Sequence, residues 1–133
     1  MTLTPEERAA IVEYRMERSR TTFEELEYVI KGSFWNLAAN RLYYALFYMC
    51  EALLLKNRIS TSSHSGVHRM ISLHFVKTGK LDKDASALLT DVFRMRQTGD
   101  YDDLLDWREE QILPMVPKVK ALTEKIEKLI IEE

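Results

Sequence analysis

The stretch RMRQTGDYDD, residues 94–103, brings Arg94, Arg96, Gly99, Asp100 and Tyr101 together at the end of a run with helical spacing. Guanidinium groups hold phosphate oxygens through paired hydrogen bonds, and a phenol beside them can approach a nucleotide phosphate while a carboxylate accepts its hydrogen bond. The same residues also have a structural use. Positive charge in a last helical turn complements the helix dipole, Gly99 suits a left-handed stop, and Asp100 can clamp Arg96 while Tyr101 folds back onto the core.

Other chemistries find less support. His64, His68 and His74 lie in HSGVHRMISLH, and a four-residue spacing suits two metal ligands on one helix face. No third ligand follows at a diagnostic spacing and Ser65 breaks the H-E-x-x-H pattern, so capping, packing and contact with solvent account for the histidines and no metal or cofactor is assigned. Gly-rich phosphate loops are missing, and the serines near the histidines form no recognisable triad. Cys50 sits in an apolar run without a second cysteine, which makes it a small core residue and forbids an internal disulfide.

The elements that must position these residues read as helices. Thr4, Pro5 and Glu7 form a capping signature, which starts a helix at Pro5. Ile11, Tyr14, Met16, Phe23, Leu26 and Ile30 recur along its face until Lys31 and Gly32 supply a stop. Ser33 is expected to cap the second helix, FWNLAANRLYYALFYMCEALLLKN, which is apolar on nearly every face and must be buried on most sides. A polar loop, RISTSSHSG, leads to a short third helix over VHRMISLHFVK that ends at Thr78 and Gly79. Asp82 caps a fourth helix with Leu88, Leu89, Val92, Phe93 and Met95 inward, and Gly99 should end it. Asp106 is expected to cap the last helix, with Glu109 three residues on, and Pro114 and Pro117 to kink or restart it. No sustained strand-type alternation occurs, so the fold class is an all-α bundle.

The 133 residues fit one domain, 1–133, and 46% hydrophobic content is enough for a packed core. Nineteen Lys and Arg against 21 Asp and Glu leave a net charge of -2, so polyanion binding requires a local basic cluster. The N-terminus is charged and no apolar run reaches the ~18 residues of a membrane span, which points to a cytoplasmic protein without membrane attachment.

Three segments in order, YYALFYMCEALL, SHSGVHRMISLHFVKTGKLD and FRMRQTGDYDD, resemble a HEPN domain of the small stand-alone prokaryotic branch, with its Arg-x-x-x-Asp-Tyr signature at Arg96, Asp100 and Tyr101. The resemblance spans roughly Trp35 to Asp103. It implies an up-and-down bundle of four to five helices, commonly a homodimer, with helix four facing a cleft near the seam.

It also implies either a metal-independent endoribonuclease or a partner of a small nucleotidyltransferase in a toxin-antitoxin pair. Nuclease members place a histidine four to six residues after the arginine, whereas Asp100 and Tyr101 follow Arg96 here and no histidine follows His74. An aspartate with an ordinary pKa of about 3.9 is seldom protonated to serve a leaving group. The leading expectation is therefore a module that binds nucleotide, RNA or a partner nucleotidyltransferase through Arg41, Tyr44, Arg94, Arg96, Asp100 and Tyr101. The alternatives are a toxin-type ribonuclease using Arg96, Asp100 and Tyr101, and a structural or regulatory dimer with helix two or four at its seam. In the paired systems Tyr101 would be the acceptor of a transferred nucleotide. Arg41, in an otherwise apolar helix, requires an anionic partner, with Glu51, Asp100, Asp102 and Asp103 as candidates.

Overall fold

The computed structural model describes residues 2–101 and 106–132, with 96–101 described through the backbone alone. Helix α1 (Pro5–Lys31) starts from a reciprocal cap: the Thr4 hydroxyl accepts from the Glu7 N–H at 3.1 Å, and the Thr4 N–H donates to the Glu7 carboxylate at 2.8 Å. Helix α2 (Trp35–Lys56) runs back along it, and α3 (His64–Ile71) is extended by a π-helical turn, Ser72–Val76. Then come α4 (Lys83–Tyr101), the single turn α5 (Glu109–Ile112) and α6 (Met115–Ile131). The described residues contain no strand, and the expected helical bundle is what forms.

Helix α2 is the axis. Twelve of its side chains, from Ala38 to Leu54, are buried, because α1, α3, α4, α5 and α6 all pack against it. Its middle is thus covered within one chain, while Leu37 near its start stays exposed. Cys50 lies in this core, where burial pushes its thiol pKa up and keeps it protonated.

Several local expectations give way to a different geometry. Ser33 does not cap α2. It lies at φ 60°, one residue past the α1 C-cap Gly32, while its N–H donates to the Ile30 carbonyl and the Phe34 N–H donates to the Val29 carbonyl. This is a Schellman closure with serine in the left-handed position. Gly32 itself is right-handed; a Cβ there would lie 2.5 Å from the Phe34 ring, so its small size admits that ring. The α2 terminus repeats the pattern, with Arg58 at φ 61° and the Ile59 N–H donating to the Leu54 carbonyl.

Gly99 does not stop α4, which continues to Tyr101. Asp106 does not cap the last helical segment: its carboxylate accepts from Asn36, and the N-cap is Arg108. Pro114 separates α5 from α6 and Pro117 falls in the first turn of α6, where the missing N–H has no helical acceptor to lose. Asp82 does hold the start of α4, accepting from the Ala85 N–H at 2.8 Å, a bond that lowers its carboxyl pKa. Tyr14, expected on the packed face of α1, is 59% exposed.

Candidate functional site

Tyr43, Tyr44 and Phe47 occupy one stretch of α2 facing the start of α3 and the middle of α4. Ser63 caps α3, accepting from the Gly66 N–H at 2.9 Å, so that helix begins at His64, earlier than the apolar periodicity suggests. The early start brings the His64 ring onto Phe47, with centroids 4.3 Å apart and planes 12° from parallel. A 2.6 Å hydrogen bond joins His64 Nδ1 to the buried Tyr43 hydroxyl. From α4, Phe93 meets Tyr43 at 5.2 Å and His68 at 5.0 Å. His68 Nε2 lies 3.2 Å from the Thr90 hydroxyl, and burial holds its imidazole pKa below the ordinary value.

The two histidines therefore have separate partners instead of converging as ligands. His64 belongs to the Tyr43 and Phe47 side of the ring cluster, and His68 to Phe93 and Thr90. Among the described residues no group of three His, Cys, Asp or Glu is arranged to hold a metal.

Arg41 sits at the edge of this cluster. Its guanidinium lies 5.8 Å from the Tyr44 ring centroid, and Tyr44 in turn meets His64 at 6.0 Å. The anionic partner required for Arg41 is Glu25 of α1, at 3.2 Å, with Asn40 Oδ1 accepting two further bonds. Of the partners expected from sequence, Glu51 is engaged by Arg15 at 2.8 Å instead. Asp102 and Asp103, and the side chain of Asp100, lie outside the described residues. The antiparallel course of α1 explains the exchange, since it carries Glu25 past the start of α2 and Arg15 past its middle.

Arg94 is exposed on α4 and forms no ion pair with another described residue. The expected clamp between Arg96 and Asp100, and the packing of Tyr101, lie outside the described side chains. Their backbone is helical, which places position 96 one turn beyond Phe93 and position 100 one turn further along the same side. The structure thus brings Arg41 and Tyr44 together beside His64, and puts the α4 segment next to the ring cluster through Phe93.

His64, Tyr43 and Phe47 were not legible as a site from sequence. Tyr43 and Phe47 share a helix face at i, i+4 spacing, but their histidine comes from a loop-to-helix boundary whose position depends on Ser63. A serine three residues before a glycine was the available signal, and it is a weak one.

The HEPN domain pattern matches residues 12–129. A UPF0332 protein of Thermotoga maritima is 39% identical over 124 residues, covering 93% of this chain and 94% of that protein. A Methanocaldococcus jannaschii protein named "Putative toxin MJ0142" is 30% identical over 122 residues, covering 92% and 83% of the two chains. A second protein of that organism, "Putative toxin MJ0605", is 28% identical over 95 residues, covering 71% and 70%. With the helical order, the packed α2 axis and a pattern match across most of its length, the chain belongs to the HEPN domain family.

Proposed function

We propose that this HEPN protein is the nucleotide- or RNA-binding member of a toxin-antitoxin pair whose partner is a small nucleotidyltransferase. The observation that carries the proposal is the row Arg41, Tyr44, His64, in which a cation, a phenol and an imidazole adjoin one another next to α4. Such a row suits a nucleotide, because the base can meet a ring while phosphate meets a guanidinium. Arg94 and Arg96 would add phosphate contacts from α4, with Asp100 and Tyr101 beside them. The toxin names carried by the two Methanocaldococcus jannaschii relatives support a paired system.

In this reading Tyr101 accepts nucleotide from the partner, the protein acts in the cytoplasm, and it pairs as a homodimer. The test is co-expression with the neighbouring reading frame. Expression of the chain alone should arrest growth, the nucleotidyltransferase should relieve the arrest, and radioactive nucleotide should label wild type but not Tyr101→Phe. Absence of both arrest and labelling would remove the proposal.

A second reading, a metal-independent endoribonuclease, is favoured by His64. The segment after Arg96 has no imidazole, yet one stands in the ring cluster that α4 joins through Phe93. Such an enzyme needs a group that moves protons near neutral pH, and histidine serves better than Asp100. His64→Asn should then abolish RNA cleavage while leaving RNA binding in place.

A further inference from the structure

Along the open seam between α1 and α2, four contacts succeed one another in antiparallel order. Glu25 meets Arg41 at 3.2 Å, Arg18 meets Tyr48, Arg15 meets Glu51 at 2.8 Å, and Arg8 donates to the Leu55 carbonyl at 2.8 Å. From position 41 to position 55 the seam extends about 21 Å at 1.5 Å per residue. At its far end Arg8, Arg15, Arg58, Ser60 and Thr61 surround a hollow of about 220 Å3, and Glu51 is the one acidic residue lining it among those described. Five arginines thus line one seam of a chain whose net charge is -2.

Three of them, Arg8, Arg18 and Arg58, form no ion pair with any described carboxylate. Arg18 is the most telling. Its guanidinium carbon lies 4.8 Å from the Tyr48 centroid, and the group donates to the Tyr48 hydroxyl at 2.9 Å and the Tyr14 hydroxyl at 3.3 Å. Two phenols hold the guanidinium in place, its carbon also lying 6.0 Å from the Tyr14 centroid, and both Arg18 and Tyr14 are exposed. The exposed edge of this Arg18 and Tyr14 pair can take a base against an aromatic ring, while the arginine charges suit the phosphates on either side.

Arg58 closes the far end of the seam. It occupies the left-handed position of the α2 closure, where a non-glycine residue carries a steric cost and glycine does not. Ser33 takes the same position at the end of α1, so the geometry belongs to the helix closure, and what Arg58 brings is a guanidinium on the rim of the arginine-rich hollow.

We infer that the α1–α2 seam, from Arg18 and Tyr14 to Arg58, is a docking track for single-stranded nucleic acid, separate from the Arg41, Tyr44 and His64 row and from the α4 segment. The inference rests on the nucleic-acid branch of the proposed function for the kind of polymer, and on the seam itself for the place.

The test is fluorescence anisotropy of the full chain with fluorescein-labelled oligo(U). Binding should weaken with salt with a slope of about -2, since each phosphate neutralised on a single strand contributes about -0.7. Arg18→Ala should reduce that slope by roughly one third, and Tyr14→Ala should weaken binding at least about fivefold. Arg58→Gly is the decisive variant: it should melt at a higher temperature than wild type yet bind oligo(U) more weakly, so poor folding cannot explain the loss. Wild type that fails to bind oligo(U) at low salt, or variants that bind it as tightly as wild type, would overturn the inference.

Two other results would also overturn it. Competition by polyglutamate as effective as that by unlabelled oligo(U) would make the seam a surface for an acidic protein. A dimer that dissociates in Arg18→Glu would make it a contact between copies. Growth arrest and Tyr101 labelling are read separately, so loss of oligo(U) binding in seam variants with labelling intact would distinguish the track from the α4 site.

Discussion

The Tyr43 hydroxyl and the His64 imidazole are joined by a 2.6 Å hydrogen bond, although 21 residues and a polar loop separate them in sequence. The bond links the buried axis of the bundle to the first residue of α3, so the cap at Ser63 and the ring stack on Phe47 must agree on one helix start. Replacing Tyr43 by Phe keeps the ring contacts and deletes this bond. The expected cost is about 1 kcal/mol, which in a domain of this size lowers Tm by about 3–5 °C. Calorimetry of Tyr43→Phe checks it, and an unchanged Tm would show that the bond adds nothing to stability.

His68 gives a pH signature. Burial favours its neutral form, so its pKa in the folded chain lies below the unfolded value of about 6.5. The folded state then binds fewer protons, and the contribution of His68 is present above pH 6.5 and lost as pH falls through the folded value. The stability of wild type relative to His68→Gln should therefore shrink between pH 7.5 and pH 5, as read by urea unfolding. A constant difference across that range would refute the assignment.

Ser33 is held left-handed at the end of α1, at a steric cost that glycine does not carry. Ser33→Gly should stabilise the chain by roughly 0.5–1 kcal/mol, the relief being partly offset by the greater freedom of glycine in the unfolded state. The substitution touches no residue of the ring cluster. Thermal melts that fall instead of rising would mean the serine side chain contributes more than its backbone strain costs.

The homodimer of the proposed function requires an apolar seam of more than about 1,000 Å². The middle of α2 is spent inside the chain, but its exposed beginning at Leu37, with the preceding Phe34, is open. Light scattering at tens of micromolar should give twice the 15.6 kDa chain mass, and Leu37→Glu should lower it if α2 forms the seam. A monomer mass for wild type would remove the dimer.

The helix count, the burial of α2 and the capping of α1 were legible because they depend on local spacing: Thr4, Pro5 and Glu7 act within one turn, and the α2 run is apolar whatever packs on it. The partner of Arg41 was not legible. Pairing across α1 and α2 depends on the antiparallel register of two long helices, and nothing near Arg41 in sequence points to Glu25. The closures at the helix ends were legible only in part. Helices α1 and α2 do end at Gly32 and Asn57 as their spacing suggests, but the left-handed positions fall one residue later, on Ser33 and Arg58, and Gly99 continues a helix. Of the candidate site, Arg41 and Tyr44 were identified from sequence and do adjoin, whereas His64 waited on the cap at Ser63.

The connection between α1 and α2, closed within residues 32–34 by hydrogen bonds from Ser33 and Phe34, also has a kinetic consequence. These two helices share the most extensive contact in the bundle, and so short a loop closes at little entropic cost. The hairpin can collapse before the distant α6 finds its place, which makes it the natural nucleus of folding. Trimming Leu26 or Leu46 should then slow refolding, whereas trimming Ile126 in α6 should mainly hasten unfolding.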